Sequence, residues 1–312
     1  MYPVREVQQS FPKVREIFLI SYLSVLPDDT IVITNDDIIL KTWKKLESKI
    51  PYGEFLYIKK IISDRFYNST RNFDLLIYGK RTPSLGFMRL YFDTISKYGI
   101  KIDLQQILKT SRIKFGHGGN AASALLPSHL SQKLAYLVGA MRDGTLARSG
   151  KYEISISQSN DSWLKTLKEI ICDVFQPSNE PAIRNNRVTL SNRPIFEYLN
   201  KVFEIPIGKK DQWSTPKIIE MAPLNLAKYY IRGFYDADGL SYKLGFCQVN
   251  KESLVFVKNT LEKLQIKTGK LSSRKGKSKI LYSFNTSKKS HNDFIKIIGS
   301  LNPSKQRLFS PT

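Results

Sequence analysis

The stretch Leu226-Ala-Lys-Tyr-Tyr-Ile-Arg-Gly-Phe-Tyr-Asp-Ala-Asp-Gly239 decides how the chain folds. Ala227, Tyr230, Ile231, Phe234 and Tyr235 recur at helical spacing, which predicts a buried helix. Gly233 and Ala237 stand four apart and share one bare face. Such a face admits a second helix backbone at short range. Gly239 is a helix stop, and it leaves Asp238 at the helix end. Negative charge there opposes the helix dipole. An acid in that place predicts a cation beside it.

Leu134-Ala-Tyr-Leu-Val-Gly-Ala-Met-Arg-Asp-Gly144 repeats the pattern upstream. Its small residues, Ala135 and Gly139, are again four apart, and it too ends in Asp-Gly. Two such helices packed face to face would bring Asp143 and Asp238 together at one end. Paired carboxylates of this kind make a divalent-metal site, and two-metal sites drive in-line attack on phosphodiesters. Both stretches resemble the LAGLIDADG motif of the homing endonucleases. Ile231 to Gly239 matches it closely. The first copy is one residue short: Gly139 lies five positions before Gly144, where Gly233 lies six before Gly239. The helix is expected all the same, with the aim of Asp143 altered.

The 312 residues suffice for two or three domains. Net charge is +22, from 49 basic and 27 acidic residues, which calls for a polyanionic partner and points to nucleic acid. The basic residues are spread along the chain rather than gathered beside an anchor, which argues against a membrane surface. Ile17 to Leu26 is apolar but too short to span a bilayer and reads as a buried helix. Two cysteines, Cys172 and Cys247, make no disulfide framework, so a reducing compartment such as a prokaryotic cytoplasm is expected. His117, His129 and His291 do not complete a zinc spacing.

In chain order, Val14 to Leu26 predicts a helix and Ile31-Val-Ile-Thr34 a strand, and Asn35-Asp-Asp37 would cap a helix running to Lys49. Leu56 to Phe66, Phe73 to Tyr78 and Leu85 to Tyr98 read as three further helical segments. The turn Gly79-Lys-Arg-Thr-Pro-Ser84 between the last two resembles that of Cro/repressor-type helix-turn-helix domains. That resemblance implies that Ser69 to Tyr78 enters a major groove, with Arg71 and Asn72 among the base-facing residues and Lys80 and Arg81 on phosphate. Residues 111–130 read as a linker, with Phe115-Gly-His-Gly-Gly-Asn120 as loop chemistry.

The strongest internal signal is a tandem repeat. After Asp143, a strand (Tyr152 to Ser157) meets Gln158-Ser-Asn160 and a helix from Ser162 to Phe175. After Asp238, a strand (Tyr242 to Cys247) meets Gln248-Val-Asn250 and a helix from Glu252 to Leu264. Basic strand pairs follow (Ala182 to Ser191, Lys267 to Thr286), each closed by a helix. Lys270, Arg274, Lys275, Lys277 and Lys279 crowd the second pair, and Arg184 and Arg187 mark the first. These are the expected DNA contacts. Only 10 residues separate Asp238 from Gln248, against 15 between Asp143 and Gln158, so the hairpin after the second motif should be very short or missing.

The expected fold is therefore α+β: a pseudo-twofold pair of αββαββα-like halves forming a saddle, behind a mostly helical domain. The boundaries are 1–110, a linker 111–130, a first repeat 131–215 and a second 216–312. The resemblance implies hydrolysis of both strands of a specific double-stranded DNA site by a monomer. It implies Mg2+ at Asp143 and Asp238, with Mn2+ as a substitute. Gln158 and Gln248 would order the attacking water, and Arg193 and Lys288 would stabilise phosphate charge. The rival is a non-cleaving member, a transcriptional regulator or an intron maturase that binds DNA or structured RNA.

Overall fold

The structure, a computed structural model, describes residues 22–23, 25–34, 37–66, 70–116, 121–148, 151–208, 213–276 and 279–309. Strand β1 (Thr30–Ile33) leads into helices α1 (Ile38–Glu47), α2 (Tyr52–Phe66), α3 (Thr70–Ile77), α4 (Leu85–Ser96) and α5 (Leu104–Thr110). Trp43 of α1 packs on Phe55 of α2, Phe73 of α3 and Tyr91 of α4, so four helices share one aromatic core. Ser84 starts α4 by accepting a hydrogen bond from the Phe87 N–H. Asp37 precedes α1 but its side chain makes no capping bond. Asn35, Asp36, Ser69 and most of the expected first helix lie outside the described residues.

Residues 111–130 are not a bare linker. Strands β2 (Arg112–Phe115) and β3 (Ser123–Leu125) join β1 in a sheet of order β1-β2-β3. Ile113 stands opposite both Val32 and Ala124, and all three are fully buried. The alternation Arg112-Ile-Lys-Phe115 is a strand pattern that the following glycine run obscured. The Ser123 carbonyl accepts from Ser178 N (2.9 Å) and Asn192 Nδ2 (3.2 Å), which fastens this sheet to the first repeat.

The first repeat runs α6 (Gln132–Ala140), β4 (Gly144–Ala147), β5 (Glu153–Ser157), α7 (Asp161–Phe175), β6 (Ala182–Arg184), β7 (Arg187–Ser191) and α8 (Arg193–Val202). The expected αββαββα order is present, with its sheet ordered β4-β5-β7-β6. A short α9 (Lys217–Glu220) leads to the second repeat: α10 (Leu224–Asp238), β8 (Gly245–Gln248), α11 (Lys251–Lys263), β9 (Ser272–Lys275), β10 (Ile280–Asn285) and α12 (His291–Ile297). A last helix, α13 (Pro303–Gln306), follows.

The second sheet has three strands, β8-β10-β9. Residues 240–244 hold no counterpart of β4, and a single bridge, Gly239 to Phe246, takes its place. The short spacing after the second motif has that consequence.

Strand register separates the two faces of each sheet. In the first, Ile154, Ile156, Val188 and Leu190 point to the core, while Ser155, Ser157, Thr189 and Arg187 share the other face. In the second, Phe246 and Phe284 stack in the core with ring centroids 5.4 Å apart. Cys247, Ser283, Ser272 and Arg274 lie on the opposite face. Each half thus packs one face under its helices and presents a polar one.

Candidate active site

Helices α6 and α10 cross at their glycines. A Cβ on Gly139 would lie 2.1 Å from the Tyr230 carbonyl oxygen, and one on Gly233 would lie 2.0 Å from that of Tyr136. The contact is reciprocal, backbone against backbone, and only hydrogen at both positions permits it. Gly239 stops α10 at Asp238 as expected, and Gly144 ends the turn that follows α6. Gly144 and Gly239 are extended (φ −84° and −62°) rather than left-handed caps. A side chain at Gly239 would meet the Tyr235 ring at 2.4 Å, and one at Gly144 would meet the Met141 sulfur at 2.6 Å. They are small because the chain folds back over the preceding turn.

The missing residue of the first motif is absorbed by geometry. α6 ends at Ala140 and tightens into a 3-10 turn over Met141–Asp143, whereas α10 stays α-helical through Asp238. At about 2.0 Å per 3-10 residue and 1.5 Å per α residue, both routes advance about 7.5 Å from glycine to aspartate. The final directions differ by only about 40°. By this arithmetic the two aspartates stand at about the same level along their helices.

Arg142 holds the tightened turn. Its buried guanidinium donates to the Trp213 carbonyl (2.6 Å), the Ser214 carbonyl (3.2 Å) and the Tyr230 hydroxyl (2.6 Å). It also lies 4.0 Å from the Trp213 ring centroid and 4.8 Å from that of Phe234. The second motif has Ala237 just before its aspartate, so this anchor exists in the first half alone.

Each acid is held by the glutamine of its own half. Gln158 Nε2 donates to Asp143 Oδ2 at 3.2 Å, and Gln248 Nε2 donates to Asp238 Oδ2. All four side chains are partly exposed. Asn160 and Asn250 cap the helices that follow, accepting from Trp163 N and Ser253 N. Among the described residues, no group of three or more His, Cys, Asp or Glu comes together. The donors are two carboxylates and two amides, all offering hard oxygens. That set fits Mg2+, which keeps several of its waters, and does not fit a closed zinc cage.

Asp236 stands beside this site but faces inward and is fully buried. It accepts from the Tyr136 hydroxyl (2.6 Å), the Leu301 N–H (2.8 Å) and the Ser300 hydroxyl. Burial pushes its carboxyl up to about 6, against the pull of those donors. It ties residues 300–302 to α10. Asp236→Ala is expected to cost about 2–4 kcal/mol by orphaning those donors. The readout is the urea midpoint in EDTA. A loss under about 0.5 kcal/mol would mean that other contacts hold the segment.

The cations named from sequence fall in several places. Arg193 opens α8 with its guanidinium 5.1 Å from the Phe115 ring and 4.9 Å from the Tyr152 ring. It lines a cavity of about 580 Å³ with Tyr22, Leu26 and Glu197, where the N-terminal sheet meets the first repeat. Its visible part is to pack that junction. Lys288 is exposed in the 3-10 turn before α12. Arg184, Arg187, Lys270, Arg274, Lys275 and Lys279 are exposed on the two basic strand pairs or beside them. Arg187 Nε donates to Ser157 Oγ at 2.9 Å. Lys277 lies outside the described residues. Arg71, Lys80 and Arg81 are exposed and Asn72 half-buried around α3, whose Phe73, Leu76 and Ile77 face the core.

Sequence reasoning missed two cations, Arg142 and Lys305. Arg142 stands inside the first motif, where a cation replaces a small residue, and that was its only signal. Lys305 is one lysine among many in the sequence but is 7% exposed in the fold.

No protein-family model matches the chain. Over 148 residues it is 31% identical to homing endonuclease I-ApeI of Aeropyrum pernix, covering 43% of this chain and 67% of that protein. Solved variants of the homing endonuclease I-DmoI are 17% identical, covering 55% of this chain and 96% of theirs, with a TM-score of 0.43. The complex of I-DmoI with DNA and Mn is 18% identical, covering 55% and 98%, also at 0.43. This chain belongs to the homing endonucleases, and its two glycine-crossed motif helices are of the LAGLIDADG kind.

Proposed function

We propose that this chain is a site-specific, double-strand DNA endonuclease that works with a divalent cation as a monomer. The observation that carries the reading is that Asp143 and Asp238 close two motif helices crossed at their glycines. Each acid is held by a strand-end glutamine of its own half. A divalent cation bound there, Mg2+ with Mn2+ as substitute, supplies Lewis acidity and a nucleophile derived from water.

The chain's own residues do the rest. Gln158 and Gln248 fix the rotamers of the two acids. The polar sheet faces, with Arg184, Arg187, Arg274 and Lys279, meet the DNA through phosphate and base edges. The covalent repeat provides two half-sites in one molecule. The three-stranded second sheet offers less reading surface than the four-stranded first, so the half-site it reads should tolerate more base changes.

The 3-10 turn over Met141–Asp143, which makes up the length of the short first motif, supports the cleaving reading over a non-cleaving binder. The exposed Arg71, Lys80 and Arg81 around α3 support a second DNA contact of helix-turn-helix type in the N-terminal region. Both cysteines are free, which supports a reducing compartment.

The test is incubation with a plasmid library in Mg2+ and in EDTA. Discrete Mg2+-dependent linear products are expected. Salt-sensitive binding without any cut would overturn the nuclease and leave the regulator or maturase.

A further inference from the structure

Residues 300–309 form a strap over the end of α10. Asn302 caps α13 by accepting from Ser304 N (3.0 Å), and its Nδ2 donates to the Asp236 carbonyl (3.0 Å). Asn160 Nδ2 of the first repeat donates to Ser304 Oγ at 3.0 Å. The Phe309 ring lies 6.4 Å from the Tyr235 ring at an interplanar angle of 14°. The strap thus touches both halves at the end where the acids emerge.

Lys305 points from this strap into the protein. Its Nζ donates to the carbonyl of Gly239, the residue after Asp238, and lies 5.8 Å from the Tyr235 ring centroid. Burial disfavours the charge, while Asp143, Asp236 and Asp238 all favour it. A desolvated ammonium is costly unless acids compensate it. The bond to the Gly239 carbonyl places this ammonium one residue beyond Asp238, on the side of the motif end.

We propose that Lys305 is a positioning residue of the metal site, a built-in cation that pins the end of α10 and balances Asp143 and Asp238 before a divalent cation arrives. The proposal rests on the reading of those acids as metal ligands. A divalent cation entering beside a fixed ammonium is repelled by it. Lys305 therefore sets how much metal the site requires. Neutralising it is expected to tighten metal binding while loosening the apo protein. A simple packing role would do only the second.

The test uses the full chain without DNA. Thermal midpoints are followed against Mg2+ and Mn2+ for wild type, Lys305→Gln, Lys305→Met and Lys305→Arg. Lys305→Gln removes the charge and keeps an amide donor, one bond shorter, on the side of the Gly239 carbonyl. In Lys305→Gln and Lys305→Met the half-saturating metal concentration is expected to fall on the order of tenfold or more. Lys305→Arg should titrate as wild type does. Equal titration of wild type and both neutral variants would overturn the role of Lys305 and leave the metal site standing. No metal response in the wild type would overturn the metal site and, with it, the proposal.

Discussion

Gly233→Ala is expected to leave the protein at least about 4 kcal/mol less stable, or unfolded at 37 °C. The added methyl would sit 2.0 Å from the Tyr136 carbonyl oxygen and 2.8 Å from the Ala140 nitrogen. Both belong to the backbone of α6, so no rotamer change makes room. The helices would have to separate, and separation breaks more than the glycine contact. The Tyr136–Asp236 and Arg142–Tyr230 hydrogen bonds, each 2.6 Å, cross the same seam. So does the reciprocal approach of Gly139 to Tyr230. Burial of Tyr230, Phe234 and Tyr235, worth about 1.5–3 kcal/mol each, depends on α10 keeping its place. Gly53→Ala in α2 is the control: a Cβ there meets nothing within 4 Å, and the change should be neutral or stabilise by under about 1 kcal/mol. Thermal melts of the two variants decide the matter. A Gly233→Ala midpoint within about 2 °C of wild type would refute the close crossing.

The seam was legible because small residues four apart leave a periodic trace in the sequence. The repeat was legible for a like reason: Gln158-Ser-Asn160 and Gln248-Val-Asn250 mark the same junction twice. The 3-10 turn was not legible. It depends on Arg142 finding Trp213, Ser214 and Tyr230, and no local pattern encodes partners so far along the chain. Lys305 was hidden similarly, since a lysine in a polar C-terminal run reads as exposed until the strap docks on Asp236. Arg193 erred the other way. The resemblance implied phosphate, while in the fold its guanidinium lies beside the Phe115 and Tyr152 rings. Strands β2 and β3 went unread because a glycine run is a stronger local signal than four alternating residues.

Asp238→Asn is expected to lower double-strand cleavage on the order of a thousandfold or more, with the fold and DNA binding intact. Asparagine keeps the shape of the side chain, and its Oδ1 still accepts from Gln248 Nε2, so the local geometry has no reason to change. What goes is one of the two negative charges that would hold a divalent cation between the motifs. One acid fewer beside Asp143 leaves less like-charge repulsion in the apo site, where Lys305 acts with Asp143, Asp236 and Asp238 alike. The apo protein should thus be at least as stable as wild type, which separates loss of chemistry from loss of structure. Asp143→Asn should behave in the same way if the 3-10 turn places both acids at one level. Were Asp143→Asn to cut like wild type, the first motif would carry no catalytic acid and the compensation argued for its turn would fail. The measurement is a supercoiled-plasmid assay in Mg2+ beside anisotropy of a labelled target in Ca2+. Cutting by Asp238→Asn at the wild-type rate would remove Asp238 from the site.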